Sequence, residues 1–209
     1  VCSSDLLEDA HPLHRLRPDW TRCQAGQSWH WDGVHFEVLH PPAPNAALTG
    51  ADASRTTGKA VGAGAGTGAG AGSAKVLPRP NTVSCVLRIS NDQASALLAG
   101  DIEAAQEAGL VQAGLAPVDW LLVPHHGSKT SSSLPFLQAL QPRLAMVQAG
   151  YRNRYGHPAE PVLARYHAQG ITVLESIRCG AAEWRSQAPG QVQCERVQAR
   201  RYWHHLIPP

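Results

Sequence analysis

Hydrophobic and polar residues alternate clearly in the first third of the chain, where polar side chains separate Val34, Phe36 and Val38. Asp32-Gly33 supplies a tight turn just before this alternation, so residues 29–40 are predicted to form a β-hairpin. Similar apolar runs predict strands at 82–89, 94–99, 119–123, 143–148, 171–175, 181–185 and 191–197. Helical spacing predicts helices at 102–113, 134–140 and 160–169. Strands that alternate with helices, together with hairpins, predict a layered α/β fold with a mixed sheet.

Composition separates one domain from its appendages. At 209 residues the chain can bury one sizeable core. Residues 43–79 are rich in Ala, Gly, Thr and Pro, and bury too little apolar surface to offset the entropy of ordering. We therefore expect a disordered insertion there, inside a domain at 17–197. Residues 1–16, which do not begin with Met, are expected to be non-native or disordered, and 198–209 are expected to form a tail.

The charge of the chain is nearly balanced. Charged residues make up 16% and the net charge is +2, so any polyanion would have to be bound by a local arrangement rather than by the overall field. Eleven histidines are a high number for this length and favour a metal site. Because no apolar run reaches the length of a membrane span, this chain by itself is expected to be soluble.

The five cysteines are scattered, odd in number and form no CxxC pair. This pattern argues against a disulfide framework and against a structural zinc site. We therefore expect buried, reduced thiols in a reducing compartment.

The run PHHGSKTSSS at 124–133 follows the predicted strand 119–123. Ligands and metals are usually held at strand ends in open α/β sheets, and neutral imidazole is a common ligand of catalytic zinc. His125 and His126 are therefore candidates for catalysis or metal binding. The alternative is a capped turn with one packed and one exposed histidine.

Two further polar elements also follow apolar strands. Asp101 can bridge two divalent ions, although an Asp in front of a helix is more often an N-cap. His157 follows the strand at 143–148 and, taken alone, would be an ordinary loop histidine. Arg152 and Arg154 alternate with tyrosines in the same loop, so they are candidates for holding phosphates beside stacked bases. A solvated loop is the alternative for these two arginines.

Asp101, the histidine pair and His157 follow successive predicted strands, so we expect them to converge on one edge of the sheet. Such a group is typical of a two-metal hydrolase, in which the ions activate water and bind the attacking and leaving oxygens.

These motifs resemble the metallo-β-lactamase-like domain of the ComEC-type DNA-internalisation competence proteins. The resemblance rests on LAGD at 98–101, VPHHGSKTSS at 123–132 and YGHP at 155–158. WDGVHFEVLHPP at 31–42 and PNTVSCVLRI at 80–89 also fit. The similarity extends from about residue 17 to about residue 185 and is interrupted by the low-complexity insertion.

The resemblance implies part of the αββα sandwich of metallo-β-lactamase hydrolases, within a larger bacterial inner-membrane protein that passes single-stranded DNA into the cell. The implied activity is hydrolysis of phosphodiester bonds in the strand that is not internalised, at two divalent ions such as Zn or Mn. The implied metal ligands are Asp101, His126 and His157. The implied catalytic residues are Asp101, His125 and His126, and the resemblance does not distinguish which histidine of the pair faces the metal. The implied substrate contacts are Ser128, Lys129 and Thr130, together with Arg152 and Arg154.

The chain departs from this family in one respect, because the HxHxDH motif that supplies most ligands to the first metal does not occur in the sequence. We therefore expect a C-terminal half of the domain, whose partners are the N-terminal half, the membrane channel and single-stranded DNA, with little or no hydrolase activity alone. Two alternatives remain: another metallo-β-lactamase-fold hydrolase of a small ester or phosphodiester, or a non-catalytic nucleic-acid-binding domain with a degenerate site. The basic side chains of Lys129, Arg152 and Arg154 favour a polyanion. No feature indicates a stable oligomer.

Overall fold

The computed structural model describes residues 21–43 and 79–203. Its strands are β1 (Ser28–Trp31), β2 (Val34–His40), β3 (Val86–Ser90), β4 (Ser95–Leu98), β5 (Trp120–Leu122), β6 (Leu144–Val147), β7 (Thr172–Glu175), β8 (Ala182–Trp184) and β9 (Val192–Cys194). Its helices are α1 (Ala104–Gln112), α2 (Leu134–Leu140), α3 (Glu160–Ala168), α4 (Ser176–Cys179) and α5 (Glu195–Gln198), with 3-10 turns at Pro80–Val83 and Pro124–Gly127. None of these helices is long and apolar enough to cross a membrane. The expectations for 1–16, for nearly all of the insertion and for the end of the tail lie outside the described residues.

The first seven strands form one sheet in sequential order. β1 to β4 pair antiparallel, and β4 to β7 pair parallel, each parallel connection passing through one of the helices α1, α2 and α3. β8 and β9 form a separate antiparallel pair. The predicted layered α/β class with a mixed sheet is therefore confirmed. Within the two described ranges there is no second large sheet, and the αββα sandwich stays a prediction.

One face of the sheet carries the core and packs against the helices. Leu97, Leu121 and Ala145 are partners across β4, β5 and β6, and none of the three is exposed to solvent. They belong to one cluster with Phe136 of α2 and Tyr166 of α3. Since each fully buried large apolar side chain stabilises the fold by about 1.5–3 kcal/mol, this cluster holds the strand ends in fixed positions.

The opposite face of the sheet is apolar as well. Phe36 and Ile89 are partners across β2 and β3, and Trp29 stacks on Phe36 with ring centroids 5.1 Å apart. Trp184 of β8 lies over Trp120, with ring centroids 6.3 Å apart, so the small hairpin covers part of this face. A sheet that is apolar on both faces is typical of strands that lie between two layers.

Two strands were predicted with a wrong boundary at one end. At 82–89 the chain first forms the 3-10 turn Pro80–Val83, because proline fixes φ and lacks an N–H, and the Thr82 hydroxyl donates to the Arg79 carbonyl at 2.7 Å. The strand itself begins only at Val86. The strand predicted at 191–197 ends at Cys194, where α5 begins.

The prediction of reduced thiols is wrong for four of the five cysteines, since Cys23 is bonded to Cys85 and Cys179 to Cys194. Their Cα atoms lie 5.9 Å and 4.5 Å apart, within the usual range for a disulfide. The partners are 62 and 15 residues apart in sequence, so their spacing gave no signal before the strand pairing was known. Cys2 lies outside the described residues.

Candidate active site

The candidate site lies at the edge formed by the carboxyl ends of the parallel strands. The chain that follows β4 carries Asp101, the chain that follows β5 carries the histidine pair, and the chain that follows β6 carries His157. α4 begins directly after β7. Because these strands are parallel neighbours, all of these segments reach the same side of the molecule.

The histidine pair lies in a left-handed turn. His125 has φ 50° and ψ 39°, His126 has φ 56° and ψ 19°, and Gly127 has φ 79°. Left-handed backbone is uncommon outside glycine, although histidine adopts it more readily than most residues. The turn directs the two imidazoles to different partners, so the pair does not act as one ligand.

His126 faces Asp101. Its Nδ1 lies 2.7 Å from the Gln148 carbonyl oxygen, and its Nε2 lies 3.6 Å from Asp101 Oδ1. A carbonyl accepts only, so Nδ1 carries the proton of this contact and Nε2 faces the carboxylate. This carbonyl contact is the kind of outer-sphere hydrogen bond that orients a metal-binding histidine.

The backbone of Asp101 is held in place by a hydrogen bond to Ser84. Its N–H donates to the Ser84 hydroxyl at 2.8 Å, and the Ser84 carbonyl accepts a 2.8 Å hydrogen bond from Nδ1 of the buried His40. Burial lowers the pKa of His40, more than the contact with Ser84 raises it. Asp101 is not the N-cap of α1, because Glu103 holds that position in a capping box with Gln106.

His125 has different neighbours. Its Nδ1 lies 3.4 Å from the Thr130 hydroxyl and 3.6 Å from Glu103 Oε1. The same Glu103 oxygen accepts a hydrogen bond from the Asn81 amide at 3.1 Å. His125 thus lies at the start of α1, and a pocket of about 670 Å³ opens on this side between the Pro80–Val83 turn and Thr130.

His157 carries a buried polar atom that has no hydrogen-bond partner. Its Nδ1 is buried and unpaired, and its ring centroid lies 6.1 Å from that of His125. The Asn153 side chain fixes the backbone of His157, because it accepts from its N–H at 3.0 Å and donates to its carbonyl at 2.6 Å. Burial lowers the pKa of His157, and the neighbouring His125 and His126 lower it further. A lowered pKa favours the neutral imidazole, which is the form that metal coordination requires.

The turns that carry His126 and His157 touch at Gly127. A Cβ on Gly127 would lie 2.8 Å from Pro158 Cβ, and the Gly127 carbonyl accepts the Ala159 N–H at 2.9 Å. Only glycine combines this contact with a φ of 79°. The two motifs that are separate in sequence therefore form one joined structure.

The donors at this edge fit a divalent ion in part. Zn–N and Zn–O bonds of about 2.1 Å at a tetrahedral angle separate two ligand atoms by roughly 3.4 Å, close to the His126–Asp101 distance. The unpaired Nδ1 of His157 is a further nitrogen donor, in a ring that lines the same pocket as His126. Over residues 21–43 and 79–203, however, no three His, Cys, Asp or Glu side chains form a group that could hold a metal ion. Asp101 and His126 thus present two candidate ligand atoms, which do not by themselves make up a metal site.

The residues predicted to contact the substrate differ in their exposure to solvent. Lys129 is exposed, whereas Ser128 is buried with its hydroxyl 3.2 Å from that of Thr130. Arg152 lies over the Tyr151 ring at 5.2 Å, and Arg154 lies over the Tyr155 ring at 4.8 Å. Ser128 therefore supports the turn, while the three cationic side chains lie at the surface around it.

A second group of residues at this edge was not singled out in the sequence. Gln148, Asn153 and Ser176 form this group, and they line a pocket of about 480 Å³ together with the predicted residues His126 and His157. The signal for Asn153 is its position three residues before Gly-His-Pro, since Asn side chains commonly bond to nearby backbone in turns. Gln148 contacts His126 through its backbone carbonyl, so the identity of its side chain could not indicate this role in the sequence.

The chain was compared with curated proteins and with protein-family models. Competence protein ComA of Neisseria gonorrhoeae is 33% identical over 186 residues, which covers 88% of this chain and 22% of that protein. Recombination protein 2 of Haemophilus influenzae is 33% identical over 147 residues, or 70% of this chain and 15% of that protein. ComE operon protein 3 of Bacillus subtilis is 37% identical over 106 residues, or 50% of this chain and 14% of that protein. No family model matches. The chain spans about a fifth or less of the length of these relatives, and is homologous to one segment of competence proteins.

Proposed function

We propose that this chain is part of a metal-dependent hydrolase domain in a DNA-uptake protein, which cleaves phosphodiester bonds of the strand that is not internalised. The names of the relatives support a role in competence. The residue-level resemblance to a metallo-β-lactamase-like domain supports the hydrolase. The single observation that carries the proposal is the opposed pair of His126 Nε2 and Asp101 Oδ1 at 3.6 Å, with His126 oriented by a backbone carbonyl.

The residues of this edge would serve as metal ligands and as a substrate contact. Asp101 and His126 would hold one side of a zinc or manganese ion, with His157 as a third donor. When bound, such an ion supplies Lewis-acid activation of water and neutralises charge on the phosphate. His125 would contact the substrate on the Thr130 side, because its hydrogen-bonding neighbours lie there.

The cationic side chains around the edge would bind the DNA backbone. Lys129 precedes Thr130 in the exposed part of the turn, and Arg152 and Arg154 lie in the loop before His157. Each arginine is held by a tyrosine of its own loop rather than by a carboxylate, so its charge is not neutralised by that contact. This supports a phosphate-bearing substrate over a neutral ester.

The remaining ligands would come from another part of the same protein. Only two ligand atoms are opposed here, so we propose that the rest of the domain supplies the others, and that the complete protein lies in the bacterial inner membrane with its DNA channel. On this proposal the chain alone binds metal weakly and cleaves DNA poorly.

Metal binding tests this function directly. Titration calorimetry with Zn²⁺ and Mn²⁺ should detect binding to the wild-type chain, and Asp101→Asn or His126→Asn should weaken it at least tenfold. His167→Asn is the matched control, because His167 is exposed on α3. Asparagine suits position 126 because it tolerates left-handed backbone. Equal metal affinity in all four proteins would contradict the proposal, and efficient metal-dependent cleavage by the chain alone would contradict the incomplete site.

A non-catalytic nucleic-acid-binding domain is the second candidate. The observation that favours it is that the described residues bring no three potential ligands together. This function predicts salt-dependent affinity for single-stranded DNA that is the same with and without a chelator.

A further inference from the structure

Two polar side chains in the wall of the pocket beside His126, those of Asn153 and Ser176, are already engaged in hydrogen bonds. The Asn153 amide is occupied by the backbone of His157 and by the Gly150 carbonyl. The Ser176 hydroxyl accepts from the Ala149 N–H and donates to the Ala149 carbonyl, both at 3.0 Å. These groups have little capacity left for a polar ligand, so the pocket of about 480 Å³ offers a mostly apolar surface.

One exposed aromatic ring lines this pocket. Tyr155 is 66% exposed and its ring lies nearly parallel to that of His157, with centroids 5.8 Å apart and 17° between the planes. The pocket is lined by both rings and by His126. A flat ligand that bound here would lie against the ring of Tyr155.

Arg154 covers part of the tyrosine but is easily displaced. Its guanidinium lies 4.8 Å from the Tyr155 centroid and donates to the phenol oxygen at 2.5 Å, and both side chains are exposed. A cation–π contact at an exposed site is weaker than the stacking of a nucleobase on an aromatic side chain. A base that displaced the guanidinium would leave Arg154 free to pair with the adjacent phosphate.

We propose that this pocket, walled by Tyr155 and His157, binds one nucleobase of single-stranded DNA next to the phosphate that faces His126. The inference rests on the proposed function for its ligand, and adds a base-binding position to it. Because stacking on an aromatic ring is available to every base, the position accepts any of the four bases with similar affinity.

Fluorescence polarisation with two labelled oligodeoxynucleotides of equal length tests the inference, one an oligothymidylate and the other abasic throughout. A chelator is present, so that metal makes no contribution. Tyr155→Ser should weaken binding of the oligothymidylate about tenfold, or ~1.4 kcal/mol, and leave the abasic strand unchanged. Tyr155→Phe should bind like the wild type. Tyr151→Ser is the matched control, since Tyr151 lies in the same loop but does not line the pocket.

The outcomes separate this inference from the proposed function. If Tyr155→Ser binds both strands like the wild type, the base-binding position is overturned, and the metal titration above remains the test of the hydrolase. If Tyr155→Ser loses affinity for the oligothymidylate alone, while neither Zn²⁺ nor Mn²⁺ binds the wild type, the position stands and the hydrolase is overturned. If the wild type binds neither strand, the base-binding position is overturned.

Discussion

At the scale of single residues, the two adjacent histidines differ through their backbone rather than their chemistry. The sequence predicted a pair and left open which member faces a metal. The left-handed values of φ at both positions turn His126 toward Asp101 and His125 toward Thr130. Nothing in PHHG reveals these angles, because only proline fixes φ, whereas glycine merely permits positive values and histidine rarely adopts them.

His40 gives the first prediction, which concerns pH. Burial lowers its pKa from the ordinary value of 6.5, so below that pH the unfolded chain binds a proton that the folded chain does not. The free energy of unfolding should therefore fall as pH falls through about 6.5, until the lowered pKa of the folded state is reached. Urea unfolding from about pH 7.5 to about pH 5 measures this.

His40→Gln is the comparison variant, since glutamine does not titrate and retains a donor for the Ser84 carbonyl. Its free energy of unfolding should depend less on pH over the same interval. Identical pH profiles for the two proteins would show that His40 is not the residue responsible.

At the scale of elements, a buried carboxylate joins α1 to the start of α2. Glu107 has no exposed surface and accepts the backbone N–H groups of Ser132 and Ser133 at 2.5 Å and 2.7 Å. The Ser132 hydroxyl lies 3.0 Å from the Tyr166 hydroxyl of α3, where burial raises the pKa of Tyr166. The serine-rich run after the histidine pair is therefore tied to two helices, and so held in place beside the site.

Glu107→Gln gives the second prediction, a destabilisation of about 2 kcal/mol. The side-chain NH₂ group of glutamine would face one of the two backbone N–H groups. That backbone N–H would lose its hydrogen bond to the carboxylate in a buried position. Glu160→Gln is the control, because Glu160 is exposed in the first turn of α3. This substitution should lower the free energy of unfolding by less than about 1 kcal/mol. Urea unfolding of both variants compares them, and equal losses would contradict a special role for Glu107.

The elements themselves were largely predictable from local patterns. The Asp-Gly hairpin and the helix at 134–140 are confirmed, because turn chemistry and helical spacing act over short distances. The early end of β9 was not predicted, since α5 is a single turn whose residues show no helical period. At the site, the order of Asp101, the histidines and His157 could be predicted from the strands. The supporting contacts of Ser84 and Glu107 could not, because they join residues 17 and 25 positions apart.

At the scale of the whole molecule, two disulfides constrain the chain. One closes a loop of 62 residues and the other a loop of 15 residues. In the chain-entropy model, loops of these lengths stabilise the fold by about 4 and about 3 kcal/mol. Disulfides persist in oxidising compartments, so a reducing cytoplasm would not favour these bonds.

The third prediction is that replacing Cys23 and Cys85 by serine lowers the free energy of unfolding more than replacing Cys179 and Cys194. The losses should be about 4 and about 3 kcal/mol respectively, and both should disappear when all proteins are measured in reductant. Urea unfolding with and without dithiothreitol makes the comparison. Alkylation of all five thiols in the unfolded, unreduced protein would show that the bonds are absent.

The contact at Gly127 has a mechanical consequence. Because a backbone without Cβ lies directly against Pro158, and the Gly127 carbonyl accepts the Ala159 N–H, the turn with His126 and the segment after His157 share one contact. Any displacement of one of these two segments would have to break or carry along that contact.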